Sequence, residues 1–79
     1  MNAEDIEREW AQRASRYLKA ELKRADVTYD ELVKRLNAKG WEETTASVTN
    51  KLKRGTFAAT FFLAALEVIE KSGVRLEDL

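Results

Sequence analysis

From Val27 to Leu79 the chain is cut by helix-start and helix-stop signals so closely spaced that only short helices fit between them. It reads V-T-Y-D-E-L-V-K-R-L, a turn closed by Gly40, then T-T-A-S-V-T-N-K-L-K-R-G-T-F, a strongly apolar segment, and finally G-V-R-L-E-D-L. Thr28 followed three residues later by Glu31 is a capping box, and Val27 can staple to Leu32. Gly40, Gly55 and Gly73 stand where a helix needs a left-handed residue to stop. With no proline, only three glycines and 44% hydrophobic residues in 79, the chain is expected to be all-α and to form one domain.

Four helices are predicted, at about 4–25, 29–38, 45–54 and 58–72, with a short turn at 75–79. In the first, Ile6, Trp10, Ala14, Tyr17, Leu18, Leu22 and Ala25 recur at three- and four-residue steps and share one broad face. Glu21 falls inside that apolar arc, where it either finds a cation partner or sits at the rim of the face. Leu32, Val33 and Leu36 form the buried stripe of the second helix, and Trp41, just past Gly40, can fold back on Leu36. Asp26 occupies the turn ahead of this helix, where Gly or Asn is more usual. Thr44 or Thr45 caps the third helix, with Val48 and Leu52 turned to the core. The fourth carries Phe57, Phe61, Phe62, Leu63, Leu66, Val68 and Ile69 around most of its circumference, more apolar surface than three other helices are expected to cover. Gly73 should close it, letting Val74 touch Ile69, and Val74, Leu76 and Leu79 should pack back on the core.

Composition excludes more than it names. There is no Cys and no His, so thiolate chemistry, the commonest general base and the commonest metal ligand are all missing. Ser15, Ser47 and Ser72 therefore have no relay partner, and no glycine-rich phosphate loop exists. Glu42-Glu43 and Glu77-Asp78 are too local to hold a metal alone. No enzyme activity, cofactor or metal is expected. The acidic start lacks a secretory apolar run, and the longest apolar stretch, 56–66, is too short to cross a membrane. A cytoplasmic protein is the expectation.

Fourteen cations balance fourteen anions, but their placement is uneven. Residues 1–12 hold four acids against Arg8, a net of −3; residues 13–24 hold five bases against Glu21, a net of +4. Residues 44–66 hold Lys51, Lys53 and Arg54 and no acid. Thr45, Ser47, Thr49 and Asn50 share the third helix with those cations. Asn50 has the paired donor and acceptor that match adenine in the major groove, and Ser47 and Thr49 suit bases or phosphates. Lys51, Lys53 and Arg54 suit phosphates, with Lys34, Arg35 and Lys39 in support from the second helix. Arg13, Arg16, Lys19 and Lys23 could add to them from the first.

The order of capped short helix, turn, short basic helix, glycine and buried helix resembles the Cro/C1-type helix-turn-helix family of repressors and antitoxin-like regulators. More narrowly, L-K-A-E-L-K-R-A-D-V-T-Y-D-E-L, A-S-V-T-N-K-L-K-R-G-T-F and F-F-L-A-A-L resemble a family of short stand-alone bacterial proteins of uncharacterised function. The resemblance implies a compact four- to five-helix bundle of lambda-repressor-like type. It also implies a regulator that binds double-stranded DNA as a homodimer, with the third helix in the major groove. Ile6, Trp10, Phe61 and Phe62 are the candidate dimer or partner surface. The other reading is a protein-interaction module that keeps the fold without reading DNA, favoured by the zero net charge and by Glu42-Glu43 beside the third helix. Leu36 and Val48 lie twelve residues apart, wider than the repressors' single short turn. The repressors' Arg–Glu pair between first and third helices would fall near Leu22 and Lys53, where it is absent. A swapped pair, Glu21 with Lys51 or Lys53, is the expected replacement.

Overall fold

A computed structural model describes residues 1–79 as four α-helices and a closing 3-10 turn. The helices are α1 (Ala3–Arg24), α2 (Tyr29–Ala38), α3 (Thr45–Arg54) and α4 (Ala59–Val68), and the turn spans Leu76–Asp78. There is no strand. The predicted boundaries of the first three hold to within a residue.

The caps explain why. Asn2 accepts from the Asp5 amide and opens α1, and Glu4 and Asp5 then lie at the positive end of the helix dipole. Thr28 accepts from the Glu31 amide, but the reciprocal half of that box is not made. The Glu31 carboxylate turns instead to Arg35, 3.3 Å away. The complete capping box lies at α3, where Thr44 and Ser47 exchange side-chain and backbone hydrogen bonds.

Three helices end in the same six-residue closure. The Val27 amide reaches back to the Leu22 carbonyl, Trp41 to Leu36, and Lys71 to Leu66. The left-handed residue that each closure needs is Asp26 (φ 57°), Gly40 (φ 97°) and Glu70 (φ 64°). Glu70, not Gly73, therefore stops the last helix, and α4 ends at Val68, four residues short of expectation. Because Asp and Glu sit in this region less readily than Gly, Asp26→Gly is expected to stabilise the fold by about 0.5–1 kcal/mol. The check is a chemical denaturation midpoint; no change or a loss would mean that the carboxylate compensates locally.

The core is small and continuous. Leu18, Leu32, Leu36, Val48, Leu52 and Phe61 are fully enclosed, joined by Tyr17, Leu22, Val27, Ala65, Leu66 and Ile69. The apolar arc of α4 is covered better than its width suggested, by aromatics from connecting segments. Trp41 meets Phe61 edge-on at 6.4 Å, and Phe57 meets Phe61 at 5.5 Å and stacks on Phe62 at 6.0 Å. Phe61 is thus a core residue and no interface residue. Of the large apolar side chains on this helix only Leu63 stays widely exposed, at 63%. Arg35 donates to the Val68 carbonyl at 3.0 Å and ties the end of α4 to α2.

The expectation about the C-terminal end fails. Val74 and Leu76 are exposed, and of the C-terminal trio only Leu79 packs on the core. At the other end nothing before Ala11 is buried, so the first turns of α1 project beyond the core and leave Ile6 and Trp10 about half exposed. A 22-residue helix is about 33 Å long; it sets the 41 Å long axis of the molecule.

Candidate nucleic-acid interface

Successive residues of a helix are rotated by about 100°. On α3, Val48 and Leu52 face inward. Thr45, Thr49, Lys53, Ala46, Asn50 and Arg54 then follow one another around the opposite half, and all six are exposed. That half-cylinder carries two cations and no acid. Thr49 bonds its own helix, donating to the Thr45 carbonyl at 2.8 Å, and Thr45 donates to Asp30 at 2.6 Å. Asn50, Lys53 and Arg54 have no intramolecular side-chain partner.

Ser47 and Lys51 leave this face. Glu43 is buried; its Oε1 accepts from Ser47 Oγ at 2.6 Å and its Oε2 from Lys51 Nζ at 2.5 Å. The Lys51 ammonium also lies 4.6 Å from the Phe61 ring centre. Asn37 clamps the backbone of the same residue, accepting from the Glu43 amide at 2.8 Å and donating to its carbonyl at 3.0 Å. The wide turn between α2 and α3 is therefore held rigidly. Glu43 locks the third helix in place, and its charge is neutralised within the fold. The expected pairing of Glu21 with Lys51 or Lys53 is not made: Glu21 pairs with Arg24 and, at 3.8 Å, with Lys71. One basic-helix lysine is structural, as the swap implied, but its carboxylate is Glu43.

The end of α3 reaches α1 through three small residues. Ser15 Oγ donates to the Leu52 carbonyl, and Gly55, left-handed at φ 73°, sits against Ala11 so tightly that a Cβ would stand 2.3 Å from the Ala11 carbonyl oxygen. These contacts fall about two turns earlier on α1 than Leu22, where the repressor pattern puts the bridging residue. Over this junction opens a cleft of about 340 Å³ lined by Gln12, Arg16 and Lys19 from α1 and by Lys53 and Arg54 from α3.

The four cations of the cleft have a shared property. Seven of the fourteen Lys and Arg side chains are ion-paired: Arg8, Arg13, Arg24, Arg35, Lys51, Lys71 and Arg75. The unpaired seven are Arg16, Lys19, Lys23, Lys34, Lys39, Lys53 and Arg54. All four cleft cations belong to the second set, and no acid lines the cleft. Such a concentration of unneutralised charge focuses a positive potential beside the exposed arc of α3. Lys34 is exposed on α2, one turn beyond Asp30 and so on the side of α2 nearest the start of α3. Lys39 is separate from the other candidates: it borders a crevice between α2 and α4 beside Glu67 and Glu70. Of the expected interface residues, Ile6 and Trp10 are exposed, while Phe62 is half-buried between Phe57 and Tyr17.

No group of acids, His or Cys is arranged to hold a metal ion, and no helix is long and apolar enough to cross a membrane. Residues 10–74 match the model of a domain of unknown function, DUF6471. No curated protein and no solved structure matches the chain.

Proposed function

The chain belongs to the DUF6471 family, and we propose that it is a small double-stranded-DNA-binding protein of the transcription-regulator type with a helix-turn-helix-like use of α3. The observation that carries this reading is the cleft in which Arg16, Lys19, Lys53 and Arg54 stand unpaired beside the acid-free arc of α3. Asn50, Thr49 and Thr45 enter the major groove with α3, and Asn50 is the base-reading side chain. The cleft cations hold the flanking phosphates, and Lys34 reaches the backbone at the start of α3. Glu43, which argued against DNA while it was read as a surface acid, no longer does so.

Neutralising four phosphates gives a log–log salt slope of about −3.6, roughly a hundredfold loss of affinity between 50 and 200 mM salt. Anisotropy of a labelled mixed-sequence duplex across a salt series tests this. The Arg16/Lys19/Lys53/Arg54→Gln variant, confirmed helical, should lose about that much of the slope. Equal binding by that variant, or none by the native protein at low salt, would remove the reading.

The proposal includes a homodimer formed through the projecting turns of α1, where Ile6 and Trp10 are spaced i,i+4 and Arg13 lies 4.7 Å over the Trp10 ring. A two-fold pair would present two α3 helices to two half-sites. Trp10→Ser should shift a dimer to monomer in sedimentation at tens of micromolar, leaving helicity intact; a native monomer at that concentration would end this part of the proposal. The exposed Ile6, Trp10 and Leu63 also favour a second reading, a protein-interaction module, which a salt-insensitive protein complex would select.

A further inference from the structure

Between α1 and the C-terminal turn lies another cavity, about 360 Å³ in volume. Its wall holds Arg13, Arg16 and Arg24 from α1, Lys71 from the segment after α4, and Asp78 from the turn. Tyr17 also lines it. Its ring is enclosed against Phe62, while its hydroxyl makes no hydrogen bond within the protein and is open to solvent at the cavity. The groups whose charges act on the phenol, Glu21, Asp78 and Arg24, all line this cavity, which places the hydroxyl at its edge. An accessible hydroxyl with no intramolecular partner can donate to a group bound in the cavity.

We infer that this cavity is a binding site for a small phosphomonoester, held by Arg13, Arg16, Arg24 and Lys71 and by the Tyr17 hydroxyl as donor. Three of the four cations are arginines, whose planar fork matches phosphate oxygens two at a time. Glu21 is buried beneath them and pairs with Arg24 and Lys71, so it fixes their heads at the cavity. Asp78 has no ion-pair partner and faces the same space, in position to accept from a hydroxyl or amine on the ligand. The volume is at the small end of ligand sites and leaves room for more than a bare phosphate.

Arg16 gives the site a consequence for DNA, which rests on the function proposed above. On α1 it stands at the boundary between the arc of Gln12, Ser15 and Lys19 and the arc of Arg13, Tyr17 and Arg24, and it lines both cavities. A ligand that draws Arg16 into the Tyr17 cavity removes one of four cations from the DNA cleft. Occupancy and DNA binding are therefore antagonistic, and by linkage each weakens the other to the same degree.

The test uses inorganic phosphate as the probe, titrated at constant ionic strength with chloride and followed by NMR at Tyr17 and at the arginine side chains. Saturable shifts confined to this cavity are expected. Tyr17→Phe, which keeps the ring on Phe62, and Arg24→Gln should each weaken phosphate about tenfold. Lys39→Gln, a distant unpaired cation, should leave it unchanged. Non-saturating shifts, or equal weakening by Lys39→Gln, would overturn the site. This arm needs no DNA, so it stands or falls apart from the DNA reading. In a second arm, phosphate should weaken duplex binding by the native protein but not by Arg24→Gln. Weakening of both alike would overturn the antagonism.

Discussion

Gly55→Ala is expected to cost about 2–5 kcal/mol, a left-handed penalty of about 1–2 plus an overpacking cost of about 1–3. A domain of this length has roughly 4–12 kcal/mol in all, so the variant should melt at least about 8 °C lower and be partly unfolded at 37 °C. Two causes add at this residue. Its φ of 73° disfavours any side chain, and a Cβ would fall 2.3 Å from the Ala11 carbonyl oxygen and 2.7 Å from its carbon. Ala11 lies inside α1, where its carbonyl is part of the helix ladder and cannot swing aside. Gly40→Ala is the control that separates the causes: its φ is 97°, but nothing lies within 4 Å of the added carbon. It should cost only about 1–2 kcal/mol. Urea denaturation of both variants measures the difference. Equal costs would mean that α1 and α3 do not approach as closely as Gly55 requires, and the basic cleft above that junction would lose its floor.

The contrast between these glycines shows what kind of information was legible in the residues. Helix existence and boundaries were, because caps and apolar periodicity are local: Thr28, Thr44, Gly40 and the Val48/Leu52 spacing each act within one turn. The end of α4 was not, because a left-handed Glu70 closes the helix three residues before the glycine that looked suited to the task. Nothing in the local pattern marks a glutamate for φ > 0; tertiary packing of Leu66 and Ile69 decides it. The exposed arc of α3 followed from its period, and so did Lys53 and Arg54 on it. That Arg16 and Lys19 would meet them could not follow, since it depends on where along α1 the small residues Ala11 and Ser15 let Gly55 dock. Phe61 was misread for the same reason. An apolar arc shows that a partner is needed, but not that Trp41 and Phe57 from the connections will supply it.

The role of Lys51 is the reading most open to direct test, and a local signal for it existed. Glu43, Ser47 and Lys51 are spaced by four, which puts the three on one side of α3 and its lead-in turn. Glu43→Ala should destabilise by about 2–3 kcal/mol: it strands the Lys51 ammonium against Phe61, though that side chain is 27% exposed and so below the full cost of a buried orphan charge. Lys51→Met alone should cost as much or more, since it leaves the Glu43 carboxylate, 5% exposed, with only the Ser47 hydroxyl. Glu43→Leu combined with Lys51→Met should return to within about 1 kcal/mol of the native protein, because apolar replacement of a buried pair is often near neutral. Ser47 stays satisfied in that double variant through its capping box with Thr44. The recovery gives a coupling of several kcal/mol between two sites that single variants would misrepresent as independent. The same protein then decides the chemistry of α3. If Lys51 is structural, the double variant keeps the native salt slope for duplex DNA, while Lys53→Gln lowers it by about one unit. A slope lowered by the double variant, with stability restored, would put Lys51 on a phosphate and require the Glu43 lock to open when DNA binds.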